Sequence, residues 1–281
     1  MNELKQGSSD WLEIRKQHVT ATDSAVILGL SPWKTPYKLF RQKMDLDPPD
    51  EETERMREGT RIEPLARKWC EDYFMKEFQP KVVFKDFMMA SLDGISSDAR
   101  EILEIKCGPK SFEQAQRGEI NPIYICQMQH QMYVSNVQLA WYLAFNGKKG
   151  VMIPVARDDE FINQMLPKLT EFYECLLKYT PPMMTTKDYH QRSEPEWNNL
   201  AESYRNAYLD RKRAEQLEET LKQELISLSG SHSSMGGGIK LSKVVRKGII
   251  DYSKIEAITN LDLEPYRKPS SEYWKIIIEN E

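Results

Sequence analysis

Apolar positions in the first half of the chain follow a helical period and then a strand period. Between residues 57 and 78 they recur every three or four residues, which predicts a helix with one apolar face. The positions on that face are Ile62, Leu65, Ala66, Trp69, Tyr73 and Phe74. Three strand-like runs follow, at 81–87, 88–92 and 102–106. The Asp-Gly pair at 93–94 predicts a turn directly after the second run.

Helices and strands continue to alternate up to residue 185. Residues 8–45 predict short helices separated by breaks, with Ser or Thr at their starts. The further predicted helices are 111–118, 122–135 and 160–179, and the further predicted strands are 138–145 and 150–156. This order predicts a mixed sheet flanked by helices, an α/β or α+β domain over residues 1–185.

The remaining residues, 186–281, form an extension of different composition. A charged helix is predicted at 195–228, with an apolar seam that packs on the main domain, pairs as a short coiled coil or folds back as a hairpin. The seam consists of Tyr204, Ala207, Ala214, Leu217, Leu221, Leu225 and Leu228. Residues 229–238 predict a flexible turn or linker. A strand at 239–247 and a short helix at 252–258 follow.

Composition narrows the class of protein. The chain has 281 residues, 40% of them apolar and 29% charged, as is typical of a folded protein. A net charge of −4 argues against a histone-like binder and confines any DNA contact to a local surface. None of the 4 cysteines lies in a Cys-x-x-Cys pair, so neither a zinc site nor a disulfide framework is indicated. Without a membrane-length apolar run or a secretory signal, we expect a cytoplasmic protein with no membrane contact.

The candidate chemistry lies in the sequence ASLDG and the LEIK that follows it. Alternate residues of a strand point to the same face, so Glu104 and Lys106 project together, and a hairpin brings Asp93 beside Glu104. Paired carboxylates suit Mg²⁺, which prefers hard oxygen ligands. A neighbouring lysine suits orientation or deprotonation of a water and offsets charge on a phosphoryl transition state. The segment therefore predicts a metal-dependent nuclease site.

The Asp, Glu-x-Lys pattern is short, and a solvated strand face with a Glu–Lys pair is the alternative interpretation. The apolar residues around LEIK favour the site, because they predict a buried strand in which a carboxylate needs a partner or a metal. Glu63 lies near the edge of the 57–78 helix face, where it can reach the end of the sheet, although an isolated helix Glu is usually exposed. The backbone carbonyl of Ile105 is a further candidate metal ligand.

Two further residue types have alternative interpretations. Trp33 either stacks on a DNA base or packs in the core. His18 and His130 are predicted to be structural, because metal-binding histidines normally come in clusters.

Five stretches, in this order, resemble the YqaJ-type viral recombinase family, the lambda-exonuclease-like branch of the PD-(D/E)xK nucleases. They are GSSDWLEIRKQHVTATDSAVILGLSPWKTPYKLF (7–40), GTRIEPLAR (59–67), MASLDG (89–94), LEIKC (103–107) and YICQMQHQMYV (124–134). The resemblance implies a restriction-endonuclease-like core with a mixed central sheet, and it covers roughly residues 7–145.

The resemblance also implies an active site. Asp93 and Glu104 would be the two core metal ligands, and Glu63 would complete the metal site from its helix. Lys106 would be the catalytic lysine. Gln127 would match the glutamine that opens the family's Gln-x-Gln motif, beside the active site.

A pocket for the 5′-phosphate of the digested strand is implied as well. Its members would be Arg15, Thr22, Ser91 and Gln127. Arginine offers a bidentate fork to a phosphate, and hydroxyls and amides add neutral donors. The family often has serine where Thr22 stands, so the hydroxyl is kept.

By this resemblance we expect a Mg²⁺-dependent exonuclease, with Mn²⁺ able to substitute, that acts on the ends of linear duplex DNA. It would digest from 5′ to 3′ and leave 3′ single strands for a single-strand annealing protein. A homo-oligomeric ring trimer is implied by the lambda-like relatives. The alternatives are a restriction-like endonuclease that uses the same metal site, and a DNA-binding or assembly module without activity.

Overall fold

The computed structural model describes residues 6–51, 53–230, 232–246, 248 and 255, without the side chain of residue 55. The predicted short helix at 252–258 lies, apart from residue 255, outside the described residues. The chain divides into two compact units, residues 1–190 and 191–281. None of the helices among the described residues combines the length and the apolar character needed to cross a membrane.

Short elements open the first unit, and the serine and threonine starts that the sequence predicts are present. The elements are α1 (Ser9–Gln17), β1 (Val19–Thr20), α2 (Ala21–Ile27) and α3 (Pro36–Lys43). The Ser8 hydroxyl accepts a hydrogen bond from the backbone N–H of Trp11 and so caps α1. The Thr35 hydroxyl caps α3 in the same way, with Pro36 at the first helical position.

The long helix α4 (Glu54–Phe74) begins and ends earlier than the predicted range of 57–78. It ends at Met75, whose left-handed φ of 52° stops the helical ladder. Phe78 starts the next strand instead and is 1% exposed. A bulky aromatic residue that fits either a helix face or a half-buried strand is placed here by its burial against the sheet.

The apolar face of α4 is narrower than the sequence predicts. Leu65 and Tyr73 were expected on it, and both are exposed. The buried stripe centres instead on Ala66 and Cys70, which lie one turn apart on the same side of the helix. The prediction for Leu65 and Tyr73 is therefore wrong, because these residues flank the stripe rather than face the sheet.

A mixed six-stranded sheet forms the centre of the unit. Its other strands are β2 (Phe78–Lys85), β3 (Met88–Ser96), β4 (Glu101–Cys107), β5 (Leu139–Phe145) and β6 (Gly150–Ala156). The strand order is β1-β3-β4-β5-β6, with β2 paired to β3. β1 runs parallel to β3 and β4 parallel to β5, whereas the other pairs are antiparallel. The predicted mixed sheet is confirmed.

The predicted turn at Asp93-Gly94 is wrong, because β3 continues to Ser96. Gly94 is needed for close packing within the sheet rather than for a turn. A Cβ at this position would lie 2.8 Å from the Cβ of Phe78 and 3.3 Å from that of Leu103. The glycine therefore permits close packing at the centre of the sheet, and Asp93 lies within a strand rather than at its end.

Helices cover both faces of the sheet. They are α4 on one face and, on the other, α6 (Pro122–Ser135) and α7 (Asp159–Leu177), with α5 (Pro109–Gln116) beside them. The alternation along β4 shows the two sides: Leu103 and Ile105 pack in the cluster under α4, whereas Ile102 belongs to the larger core that includes α6 and α7. A short 3-10 helix, Thr186–Asp188, lies near the end of the unit.

The second unit contains α8 (Pro195–Ser229) and a small hairpin of β7 (Ser234–Gly236) and β8 (Ile239–Leu241). No residue of α8 is buried, so the predicted leucine seam is exposed along the described helix. The predicted linker at 229–238 is wrong in part, because it contributes β7. Gly237 and Gly238, with φ of 58° and 79°, form the tight turn that joins the two strands.

Candidate active site

One cleft in the first unit brings all the candidate residues together. Its volume is about 1200 Å³, and it opens between α1, α2, α4, the strands β3 and β4, and the helices α5 and α6. The candidates that line it are Arg15, Thr22, Glu63, Ser91, Asp93, Glu104, Ile105, Lys106 and Gln127. Residues that are far apart in sequence thus share one solvent-filled space.

The sheet separates locally at this cleft. β3 pairs with β4 at Gly94–Leu103 and Ile95–Ile102, and the two strands diverge beyond Gly94. The Asp93 carboxylate fills the gap, since its Oδ2 accepts a hydrogen bond of 2.7 Å from the backbone N–H of Ile105. The predicted hairpin is present, because β3 and β4 are consecutive antiparallel strands, and it brings Asp93 beside the Glu104 segment where the two strands diverge.

Glu104 is held from two sides by amides of α6. The side chain is 1% exposed. Gln127 Nε2 donates to Glu104 Oε1 at 2.8 Å, and Gln131 Nε2 donates to Glu104 Oε2 at 2.6 Å. A buried carboxylate needs such partners. Both oxygens are thereby fixed in orientation before any ligand binds.

Lys106 lies on the same side of β4 as Glu104, as strand alternation predicts, and the two side chains form an ion pair. Lys106 Nζ lies 3.4 Å from Gln127 Oε1 and 4.8 Å above the Tyr124 ring. Burial alone would lower the pKa of Lys106, but the carboxylates of Glu104 and Asp93 raise it above the ordinary value. The side chain is therefore an ammonium that can donate hydrogen bonds to an oxygen anion.

Glu63 reaches the cleft from α4. It pairs with Arg67 one turn later, with 2.5 Å between Oε1 and the guanidinium. Arg67 in turn donates to the backbone carbonyl of Asp93 at 2.7 Å. Burial and the charge of Glu104 raise the pKa of Glu63, and the same two causes raise that of Asp93 well above its usual range. The three carboxylates therefore repel one another in a partly desolvated space.

This donor set fits a divalent cation. Carboxylate oxygens are the ligands that Mg²⁺ prefers, and one or two of them with water complete an ordinary site. The described residues contain no group of three His, Cys, Asp or Glu side chains arranged to hold a metal by themselves. Glu63 is turned to Arg67, and Asp93 and Glu104 already have protein partners. All three carboxylates line the cleft, so a bound cation would share each of them with its present protein partner.

The candidate phosphate pocket lies at the α1–α2 end of the cleft. The Arg15 guanidinium donates to the Thr22 hydroxyl at 3.1 Å and stacks 4.5 Å from the Trp11 ring. Trp11 Nε1 donates to Ser91 Oγ at 2.9 Å. Arg15, Thr22 and Ser91 are therefore linked. Gln127, the fourth candidate, makes its contacts with Glu104 and Lys106 instead.

Three residues of this network were not predicted from the sequence as site residues. Gln131 follows Gln127 by four positions, a spacing that places both on one helix face, and Arg67 follows Glu63 by the same interval. Trp11 connects Arg15 to Ser91. Gln131 and Arg67 could have been predicted from their helical spacing to Gln127 and Glu63.

The isolated aromatic and histidine residues have clear positions. Trp33 is 77% exposed at the cleft, so the interpretation that it packs in the core is wrong.

His130 is fully buried, and its Nδ1 lies 2.6 Å from the Ser24 hydroxyl. Burial lowers the pKa of His130 to about 4, so the ring is neutral at pH 7. These contacts agree with the prediction that His130 is a structural residue rather than a metal ligand.

The same segment that forms the cleft is similar to known proteins. Residues 10–138 match the family model of the YqaJ-like viral recombinase domain. The similarity is confined to this segment, which is a little under half of the chain. The matching segment spans the elements from α1 to α6 and includes the strands that form the cleft, and the family resemblance read from the sequence is confirmed.

The chain is also similar to proteins of known sequence and of known structure. An uncharacterized YqaJ protein of Bacillus subtilis (strain 168) is 28% identical over 174 residues, which are 58% of this chain and 54% of the relative. The chain thus spans about half the length of that curated relative. An alkaline exonuclease, LHK-Exo of Laribacter hongkongensis, is 23% identical, covers 62% of this chain and 94% of its own, and superposes with a TM-score of 0.55. Its complex with dAMP gives the same TM-score at 22% identity and the same coverage.

Proposed function

We propose that this protein is a divalent-metal-dependent exonuclease that digests linear duplex DNA from its 5′ ends. One observation carries the proposal: Asp93, Glu104 and Lys106 meet in the cleft that also contains Arg15 and Ser91. A carboxylate pair beside an ammonium suits phosphodiester hydrolysis, and an arginine with hydroxyls suits an anion. The names of the LHK-Exo structures, an exonuclease and its dAMP complex, support the same substrate class.

Asp93 and Glu104 would hold Mg²⁺, or Mn²⁺ in its place. Glu63 would be a further ligand by the resemblance, and the Ile105 carbonyl is a further candidate because of its place on β4 between the two site residues. The bound ion would supply Lewis-acid polarisation of the scissile phosphate and acidify the attacking water. Asp93 lies next to the diverging strands, and Glu104 lies deeper, fixed by its two amides. The ligands are thus prepared for binding by the fold itself.

Lys106 supplies a positive charge beside the reacting phosphate. Glu104 and Asp93 raise its pKa and so favour the ammonium form, which would donate a hydrogen bond to a phosphate oxygen or to the attacking water. Gln127 holds both Lys106 and Glu104 and so keeps the ammonium next to the carboxylate. Charge that develops on the phosphate is then stabilised by a group already in place.

The end of the DNA would be recognised at the other side of the cleft. Arg15 presents its guanidinium, and the hydroxyls of Thr22 and Ser91 add neutral donors to a terminal phosphate. Ser91 and Asp93 are alternate residues of β3, about 7 Å apart along the strand. A terminal phosphate at Ser91 therefore lies one short step from the metal ligands, which suits removal of single nucleotides.

Two partners follow from the same proposal. The 3′ single strands left by digestion are the substrate of a single-strand annealing protein, which would act next. A ring trimer would enclose the duplex and keep the chain on DNA. Both rest on the family resemblance.

The first experiment measures digestion of end-labelled linear duplex that carries either a 5′-phosphate or a 5′-hydroxyl, in Mg²⁺, in Mn²⁺ and in EDTA. We expect metal-dependent release of mononucleotides from the 5′ end, faster with the phosphate. The Arg15→Ala variant should slow the phosphorylated end far more than the hydroxyl end. Equal slowing of both would place the phosphate pocket elsewhere.

Covalently closed circular DNA distinguishes the exonuclease from a restriction-like endonuclease, because it has no ends. Cutting of the closed circle by the pure protein would contradict the exonuclease proposal. Absence of cleavage with either metal on every linear DNA would favour the binding module instead.

A further inference from the structure

The residues assigned to the phosphate pocket lie on two different helices. Arg15 is in the last turn of α1, and Thr22 is in the first turn of α2. The hydrogen bond between them is exposed to solvent, and such a bond contributes little net stability. The relative position of these two side chains therefore depends on contacts beneath the pocket.

A buried lysine from a third helix supplies those contacts. Lys43 ends α3, and its side chain is 7% exposed. Its Nζ lies 2.8 Å from Asp23 Oδ2, 2.8 Å from the Arg15 carbonyl and 2.7 Å from the His18 carbonyl. An ammonium has three donors, and these acceptors use all of them. One side chain thus joins the end of α1 to the start of α2.

Asp23 completes the connection on the α2 side. Its Oδ2 also accepts a 2.9 Å hydrogen bond from the Thr20 backbone N–H. The Thr20 hydroxyl lies 3.0 Å from that of Thr22, so the turn that presents Thr22 is fixed by the same carboxylate. Burial raises the pKa of Asp23, but the charges of Lys43 and Arg15 have a larger combined effect in the opposite direction. The pKa is therefore below its ordinary value, and the group is ionised.

The stability of the fold does not by itself call for this ion pair. A buried pair of charges loses hydration, and apolar side chains of similar size often replace it with little loss of stability. What an apolar pair cannot do is bind two backbone carbonyls and a helix start at the same time. The arrangement is therefore better explained by the positions it fixes than by its energy.

We propose that Lys43 and Asp23 are positioning residues for end recognition, which hold α1 against α2 so that Arg15 and Thr22 face one terminal phosphate. This inference rests on the proposed function. It assigns no contact with DNA to either residue. Its consequence is that preference for a 5′-phosphate depends on two side chains that lie beneath the pocket.

The test compares the wild type with the double variant Asp23→Asn/Lys43→Met in the full-length protein. The double change leaves no unpaired buried charge, and the asparagine that replaces Asp23 keeps an oxygen for the Thr20 N–H. We therefore expect the double variant to fold, with a thermal unfolding midpoint that is lower than that of the wild type because the Arg15 and His18 carbonyls lose their donor. The measurement is the affinity ratio for 5′-phosphate over 5′-hydroxyl duplex, by fluorescence anisotropy in EDTA. The ratio should fall about tenfold, which is about the contribution of one hydrogen bond to a charged group.

Arg157→Met is the matched control. Arg157 is 12% exposed in its side chain, pairs with Asp159 and donates to the Met132 carbonyl, away from the pocket. This variant should keep the wild-type ratio. If the wild type prefers the 5′-phosphate and the folded double variant keeps that preference, the positioning role is overturned and the pocket stands. A wild type without any preference overturns the pocket and the positioning role together, whatever its nuclease activity.

Discussion

Replacing Gln131 with leucine should strongly reduce kcat while the domain remains folded. The side chain donates to Glu104 Oε2 at 2.6 Å and to the Ser91 carbonyl at 3.3 Å, and its own Oε1 has no hydrogen-bond partner among the described residues. Leucine removes a charge-assisted bond and leaves one buried carboxylate oxygen without its donor, which costs about 1–3 kcal/mol. Gln127 and Lys106 still hold the other oxygen, so the domain remains folded.

The effect on the reaction follows from the freedom that Glu104 gains. Partners that orient a metal-binding carboxylate typically change activity or metal affinity by about 10- to 100-fold. We therefore expect kcat for end-labelled duplex to fall by about that factor in Gln131→Leu, with a higher Mg²⁺ requirement. KM for DNA should change less than kcat, because Gln131 reaches the candidate phosphate pocket through the longer 3.3 Å contact with the Ser91 carbonyl.

Gln129→Leu is the control for this prediction. Gln129 is 2% exposed on the same helix, but it donates to the Ala156 carbonyl and accepts from the Asp158 N–H. Its loss should lower the urea midpoint by a similar amount and leave kcat near the wild-type value. An equal fall of kcat in both variants, or an unchanged kcat in Gln131→Leu, would refute the orienting role.

Three further predictions concern separate parts of the domain. Lys106→Met should reduce digestion about 100-fold or more while the protein still binds duplex DNA in anisotropy measurements. Buried His130 stays neutral in the folded protein down to its pKa of about 4, whereas in the unfolded chain it binds a proton near pH 6.5. The free energy of unfolding should therefore decrease as the pH falls, by about 2 kcal/mol between pH 7 and pH 5 when it is measured by urea unfolding. Trp33→Ala should leave stability within about 0.5 kcal/mol but weaken binding of duplex with single-stranded ends by roughly tenfold, through loss of base stacking.

Each of these has an opposite outcome. Substantial digestion by Lys106→Met would show that the ammonium is dispensable. A His130→Gln variant that keeps the wild-type pH slope would assign the acid sensitivity to other groups. Unchanged DNA affinity in Trp33→Ala would mean that this exposed ring does not contact DNA.

Strand alternation was sufficient to predict that Glu104 and Lys106 share a face, because a period of two leaves a single choice once the strand is located. The position of Asp93 could not be predicted with the same certainty. The Asp-Gly pair suits both a turn and a close strand contact, and only the approach of Phe78 to Gly94 decides between them. A contact between strands that pair through tertiary structure is absent from any local pattern.

The glutamines of α6 were partly hidden for another reason. Most of the helix is buried on all sides, so it lacks the apolar stripe that would show which residues face the sheet. Gln127, Gln129, His130 and Gln131 are all buried, yet they face different elements. The family motif singles out Gln127, and the four-residue spacing then places Gln131 rather than Gln129 on the same helix face.

That burial explains how the two halves of the site keep their spacing. Buried polar side chains destabilise a fold unless each finds a partner. Those of α6 find theirs on separate elements: Gln131 on Glu104 of β4 and on the Ser91 carbonyl of β3, and His130 on Ser24 of α2. Glu104 and the candidate phosphate pocket are thereby positioned by a single helix rather than by loops. For an enzyme that removes one nucleotide at a time, the distance from the terminal phosphate to the reacting bond would then be set by the packing of α6.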